Sequence, residues 1–220
     1  MAPSSPPATS SLSLRAAGRL FAAQVTPKII ALVLAGAAAA RLAVGRWQWR
    51  DLVVPAVILA AQPFTEWLIH VLVLHFRPRQ LGALRIDPYV ARKHRAHHAD
   101  PRDLPLVFVP LPDLVLLIGG MAAISFVVLP LPQALTAMVA AYAVLGVYEW
   151  THFLIHSTYR PRRRLYRSVW RAHRNHHFRN EHYWFGVTRH LADHLLGTFP
   201  DKSAVEVSPT ARTLGVEAAT

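Results

Sequence analysis

The sequence predicts an all-α integral membrane protein: a four-helix bundle whose cytoplasmic end is closed by a helical cap around a polyhistidine dimetal site. Three observations carry that expectation. Hydrophobic residues make up 53% of the 220-residue chain and charged residues only 16%, more apolar than an ordinary soluble domain. The apolar residues fall in runs, and a run of about 20 can cross a bilayer. All 13 histidines lie between His70 and His194. They recur at spacings of three and four, which stack side chains on one helix face.

Residues 1–28 begin with a Pro-, Ser- and Ala-rich stretch and carry Arg15 and Arg19. They are expected to be a disordered, basic segment and not a signal peptide. A membrane domain is expected over 29–200, with spans at about 29–44, 52–76, 105–129 and 131–155. The first span is short and holds Arg41. The second is nearly uncharged until Glu66, and the stretch after Leu104 carries only Asp113 before it turns at Leu129-Pro130-Leu131-Pro132. Proline there removes backbone donors and breaks the helix. Two cytoplasmic segments, 88–100 and 161–198, form the cap, the first stopped by Pro101 and Pro105. The polar, small residues of 201–220 read as a flexible tail.

Charge sets the expected orientation. With a cytoplasmic N-terminus, Arg41, Arg46 and Arg50 are the only outer basic residues, and the rest of the 24 Lys and Arg lie inside. Both termini and every histidine cluster then face the cytoplasm. Trp47, Trp49, Trp67, Trp150 and Tyr148 suit interfacial belts. In a soluble protein a net charge of +12 would suggest nucleic acid. Beside membrane spans the same charge meets anionic headgroups, so no nucleic acid partner is expected. The densest basic cluster is Arg160, Arg162, Arg163, Arg164, Arg167, Arg171 and Arg174. Cysteine is absent, which excludes disulfides, iron–sulfur clusters and thiolate zinc sites.

The histidines form four main groups: His70 and His75; His94, His97 and His98; His152 and His156; His173, His176 and His177. Imidazole is the commonest protein ligand for transition metals. Ten rings suffice for five ligands to each of two ions. Five residues on an α-helix advance about 140°, so the rings of His70 and His75 are expected to diverge. His94, His97 and His98 are expected to share a face. Glu66 and Glu149 precede His70 and His152 by four and three residues. Each is placed to accept a ring N–H and fix its tautomer. An interhelical hydrogen bond or direct ligation are the alternatives.

The order of these groups resembles the fatty acid hydroxylase / sterol desaturase superfamily of membrane oxygenases. So do Glu66-Trp67, Lys93-His94-Arg95-Ala96-His97-His98, Arg174-Asn175-His176-His177-Phe178, Phe185-Gly186-Val187-Thr188, and Asp193 followed by Leu196-Gly197-Thr198. The likeness runs from about Glu66 to Thr198 and is most like the fatty acid 2-hydroxylase branch. It implies a dinuclear centre that uses O2 to hydroxylate a lipid acyl chain. Functional iron is implied, with zinc able to occupy the same ligands. It implies ligation by His70, His75, His94, His97, His98, His152, His156, His173, His176 and His177. His182, beside Tyr183 and Trp184, is implied as an extra ligand, a supporting group or a substrate contact. His190 and His194, on either side of Asp193, are implied as structural or supporting groups. Some relatives carry a fused haem domain, and none fits the first 28 or last 20 residues. The expected electron source is therefore a separate electron-transfer protein, for which the arginine cluster is a candidate dock. Sterol or carotenoid hydroxylation and desaturation share this histidine logic. A two-zinc hydrolase and a membrane metal transporter are rivals from other classes. A transporter strings its ligands along a path near the midplane, whereas these gather at one face.

Overall fold

The computed structural model describes residues 11–216. Four of its helical segments are long and apolar enough to cross a membrane: Val25–Val44, Arg50–Leu74, Leu104–Val128 and Leu131–His156. Their outer faces expose Leu32, Leu52, Leu116, Val127 and Val128. Such a surface is costly in water and natural in lipid.

Helix α1 covers Leu14–Ala23, α2 Val25–Val44, and α3 Arg50–Ile69, the last continuing as a π-helical turn over His70–Leu74. A hairpin follows, with β1 at Arg79–Leu81 and β2 at Leu84–Ile86. Then come α4 Tyr89–Ala99, the short α5 Leu104–Val107, α6 Leu111–Val128, α7 Leu131–His156, α8 Arg164–Phe178 and α9 Leu191–Leu195. Helix α7 is the longest and packs against α2, α3 and α6. Pro105, Pro112 and Pro132 each occupy the first turn of a helix, where a missing N–H costs nothing.

Three features depart from the sequence expectations. The fold is helical except for one hairpin. Its strands pair antiparallel, with Arg79 opposite Ile86 and Leu81 opposite Leu84. Gly82, at φ 58°, closes the two-residue turn, the backbone that the first central position of a type II′ turn requires. The 1–28 segment contains a helix and the start of the first span. Ser13 caps α1 by accepting from the Ala16 amide. Ala17 is fully buried, and Phe21 packs among Phe108, Trp150 and Phe153. The spacing of Leu14, Ala17 and Phe21 makes one apolar stripe. Residues 1–10 of that segment lie outside the described residues. The 201–220 tail is also anchored as far as it is described: Val205, Ala211 and Leu214 are buried, and the Arg179 side chain donates to the Val205 carbonyl at 2.8 Å. Residues 217–220 lie outside the described residues.

Arg41 is explained at the end of the bundle where α2 meets the starts of α3 and α7. It pairs with Asp51 at 2.9 Å, donates to Thr136 at 2.7 Å and sits under the Trp47 ring. A charge buried at the end of an apolar span persists because its partners are built in. Trp47 and Trp49 are exposed there, 61% and 70%. Trp67, Trp150 and Tyr148 are partly buried and engaged within the fold. Trp67 donates to Thr198, Trp150 packs on Phe21, and Tyr148 stacks on His152.

Candidate metal centre

Ten histidines gather where α3 and α7 end, with α4 and α8 packed against them. They sort into two groups of five. His70, His75, His94, His98 and His176 make one, and His97, His152, His156, His173 and His177 the other. Within each group, one ring nitrogen per residue lies within 4.8 Å of all the others. The groups adjoin, since the rings of His98 and His177 stack at 4.1 Å.

Helix geometry explains the sorting. His94 and His98 are i, i+4 on α4 and serve the first group, while His97 is rotated toward the second. On α8 the pattern reverses: His173 and His177 serve the second group and His176 the first. His152 and His156, again i, i+4, both serve the second. Residues four apart stack and residues one apart splay by about 100°. The pair expected to diverge does not. His70 and His75 share a group with ring centroids 4.9 Å apart. The cause is the π turn: the His75 amide donates to the His70 carbonyl, an i→i+5 bond. That closure brings residues five apart nearly into register, a feature common at functional sites.

The rings are poised as neutral ligands. Burial pushes His94, His97, His173, His176 and His177 well below the usual imidazole range, and His98 down to about 3. A neutral imidazole has one N–H and one lone pair. Four rings spend the N–H on a backbone carbonyl. The Nδ1 atoms of His70, His98, His152 and His176 meet the carbonyls of Phe185, Ala211, Val107 and Tyr183 at 2.7–2.8 Å. Their Nε2 lone pairs therefore point inward, and those of His70, His98 and His152 are buried with no protein partner. In the second group the Nε2 atoms of His97, His156, His173 and His177 crowd together at 3.0–3.3 Å. Nitrogens at that range can share an N–H between rings, and a single cation placed among them would take all of their lone pairs at once. The donor set is all nitrogen, which suits zinc, copper, iron or nickel.

The carboxylates act one step further out than expected. Glu66 accepts the amides of Val187 and Thr188 and the Thr188 hydroxyl, the last at 2.6 Å. Asp193 accepts the Phe185 and Gly186 amides at 2.9 and 2.7 Å and the Thr198 hydroxyl at 2.6 Å. Together they clamp the loop 185–188, and its Phe185 carbonyl fixes His70. Gly186 is required here, because a Cβ would drive into the Arg189 carbonyl and reach 2.7 Å from Asp193 Oδ2. Glu149 accepts the Val109 amide at 2.9 Å and so fixes the strand of chain whose Val107 carbonyl holds His152.

Three histidines lie outside both groups. His182 has a 58% exposed side chain and sits 3.5 Å from the buried Glu181 carboxylate. His190 and His194 pack their rings on Phe199. The carbonyls of Val107, Tyr183, Phe185 and Ala211 were invisible in the sequence, because any residue type can supply one.

An apolar cavity of 490 Å³ opens on this centre between α3, α6 and α7. Its wall includes His70, Ile69, Val73, Leu117 and Val144, with Gln62, Thr65, Glu66, Asp113 and Tyr148 as polar members. The size is typical of a small-molecule site, about 300–1,000 Å³.

Known proteins place this architecture. The fatty acid hydroxylase family matches residues 55–198, and the chain belongs to that family. Among its relatives, the dihydroceramide fatty acyl 2-hydroxylase FAH1 of Arabidopsis thaliana is 28% identical over 69% of this chain and 63% of its own length. The fatty acid 2-hydroxylase of Homo sapiens is 32% identical over 62% of this chain and 37% of its own. The chain thus spans less than two thirds of the length of these relatives. A solved structure of full-length scs7p, with only its hydroxylase domain visible, superimposes with a TM-score of 0.70. It is 22% identical and covers 84% of this chain and 69% of that one, so the fold is shared.

Proposed function

We propose that the chain is a membrane-bound dinuclear iron oxygenase that hydroxylates the carbon next to the carboxyl or amide of a long acyl chain. The observation that carries this is the pairing of two five-imidazole groups with an apolar cavity that opens on His70. The ten grouped histidines are the proposed ligands of two ions. Bound iron would supply the O2-dependent cleavage of an unactivated carbon–hydrogen bond.

The protein's own residues do the rest. Ile69, Val73, Leu117 and Val144 wall the space in which an acyl chain would lie, out of contact with water. Holding the chain there fixes which carbon lies against the His70 side of the centre. Gln62, Thr65 and Asp113 supply the polar contacts at the cavity wall. The carbonyls of Phe185, Val107, Tyr183 and Ala211 hold four ligand tautomers, and Glu66, Glu149 and Asp193 hold the backbone around two of those carbonyls, Phe185 and Val107. The basic residues concentrate at the histidine end, so the positive-inside rule turns that end to the cytoplasm. O2 and electrons from a carrier outside the described residues complete the reaction.

The likeness to FAH1 and the human enzyme, both named as acyl 2-hydroxylases, supports this position on the chain. The test is comparative lipid mass spectrometry of cells with and without the gene, read beside the iron content of the purified protein. The proposal expects acyl chains that gain one oxygen at the 2-position. Loss of two hydrogens, or oxygen elsewhere on the chain, would refute the assigned reaction.

A further inference from the structure

A second concavity lies on the other side of the histidines and is chemically unlike the first. It is a groove of 680 Å³ bordered by α1, the end of α7, the 157–161 turn and α8. Its apolar lining is Leu12, Leu20 and Leu104, over the fully buried Phe153, and His156 also borders it. Five arginines border it, Arg102, Arg160, Arg167, Arg171 and Arg174, and no carboxylate does.

The five guanidinium groups come from three separate segments of chain. Among the described residues, none of them forms an ion pair. Arg174 is held over the rings of Trp170 and Phe178, 4.7 and 5.2 Å from their centroids. Five like charges around one hollow repel one another unless an anion lies among them. Guanidinium forks match phosphate oxygens bidentately and bind them more strongly than neutral donors do. The apolar floor chooses among anions. Free phosphate has no use for Leu12, Leu20 and Leu104. A lipid needs both parts. The position agrees: α1 leads directly into the first span at Val25, and α7 ends here at His156, so the groove sits where a bilayer's headgroups begin.

We propose that this groove binds one anionic phospholipid, its phosphate held by the arginines and the first part of its chains resting on Leu12, Leu20 and Leu104. The site is distinct from the apolar cavity beside His70 and does not depend on the hydroxylase reading.

The test uses the full chain, purified in detergent and exchanged into phosphatidylcholine nanodiscs doped with phosphatidylglycerol. Native mass spectrometry then counts the lipid that stays bound. One retained phosphatidylglycerol per chain is expected, with phosphatidylcholine not retained. The Arg167→Gln/Arg171→Gln double variant should lower that occupancy by about tenfold or more, and Arg167→Lys/Arg171→Lys by less, since charge survives and the fork does not. Helical circular dichroism and metal content should be unchanged in both, which separates this result from misfolding. Equal phosphatidylglycerol retention by wild type and the Gln variant would overturn the proposal. So would displacement of the lipid by millimolar inorganic phosphate, which would make the site one for the free ion. Unchanged lipid retention with loss of electron-driven turnover would assign the arginines to an acidic protein and also overturn it.

Discussion

Replacing Asp193 with Asn changes one atom, and the structure says which contact fails. The carboxylate accepts two adjacent amides, Phe185 at 2.9 Å through Oδ1 and Gly186 at 2.7 Å through Oδ2, with the Thr198 hydroxyl as a third donor. Asparagine keeps one acceptor and turns an NH2 toward the other amide. A buried donor then faces a donor, at a cost of about 1–3 kcal/mol, and the remaining bonds lose the strength that a charged acceptor gives. The clamp on the loop should weaken by about 2–4 kcal/mol. That loop carries the Phe185 carbonyl that orients His70, and groups that orient a metal ligand typically contribute about 10–100-fold in affinity. The effect should be lopsided. His70 belongs to the first group, whereas the loop's carbonyls orient no ring of the second, in which His152 is held by Val107. Chelator titration followed by elemental analysis should show the variant losing one ion well before the other, with helicity retained. Unchanged metal retention, or equal loss from both groups, would refute the clamp.

Three further outcomes follow from the same structure. Burial lowers the folded-state pKa of His98 to about 3 and of His190 to about 4, from 6.5 in the unfolded chain. The metal-free protein should therefore hold this stabilisation fully above pH 6.5 and lose it progressively as the pH falls toward 4 and 3; a thermal midpoint flat from pH 7 to pH 5 would contradict it. Arg41→Leu should destabilise by about 3–5 kcal/mol by leaving Asp51 buried and unpaired, whereas Arg41→Leu/Asp51→Leu should recover most of that. Thermal unfolding of the two variants decides the point, and metal content should not change in either. Gly186→Ala should cost about 1–3 kcal/mol, because the Arg189 carbonyl must move, and should lower both the unfolding midpoint and the metal affinity of the first group.

Much of this was legible in the sequence, and the rest was hidden for identifiable reasons. Apolar runs gave the spans, because a bilayer accepts little else of that length. The i, i+4 spacings placed histidines in common groups, whereas the i, i+3 pairs His94/His97 and His173/His176, expected to share a face, divide between the two groups. Two other sites misled. His70 and His75 look divergent on an α-helix, and only the π turn aligns them. The Arg41 that weakened the first span is neutralised by Asp51, which follows it in sequence but meets it only in the fold. Backbone carbonyls that fix the ligand tautomers carry no residue signature at all. The end segments were undervalued for a related reason. Short, plain stretches such as 14–23 and 205–214 gain order from what they cover, Phe153 and His98 among them, and not from their own composition.

The central claim is that the two imidazole groups each grip one ion. Elemental analysis of the purified protein together with X-ray absorption at the metal edge tests it most directly. Two ions per chain, each in a nitrogen-dominated shell with several imidazole signatures, is the predicted result. A single ion, no ion after iron-replete expression, or a shell dominated by oxygen would contradict it.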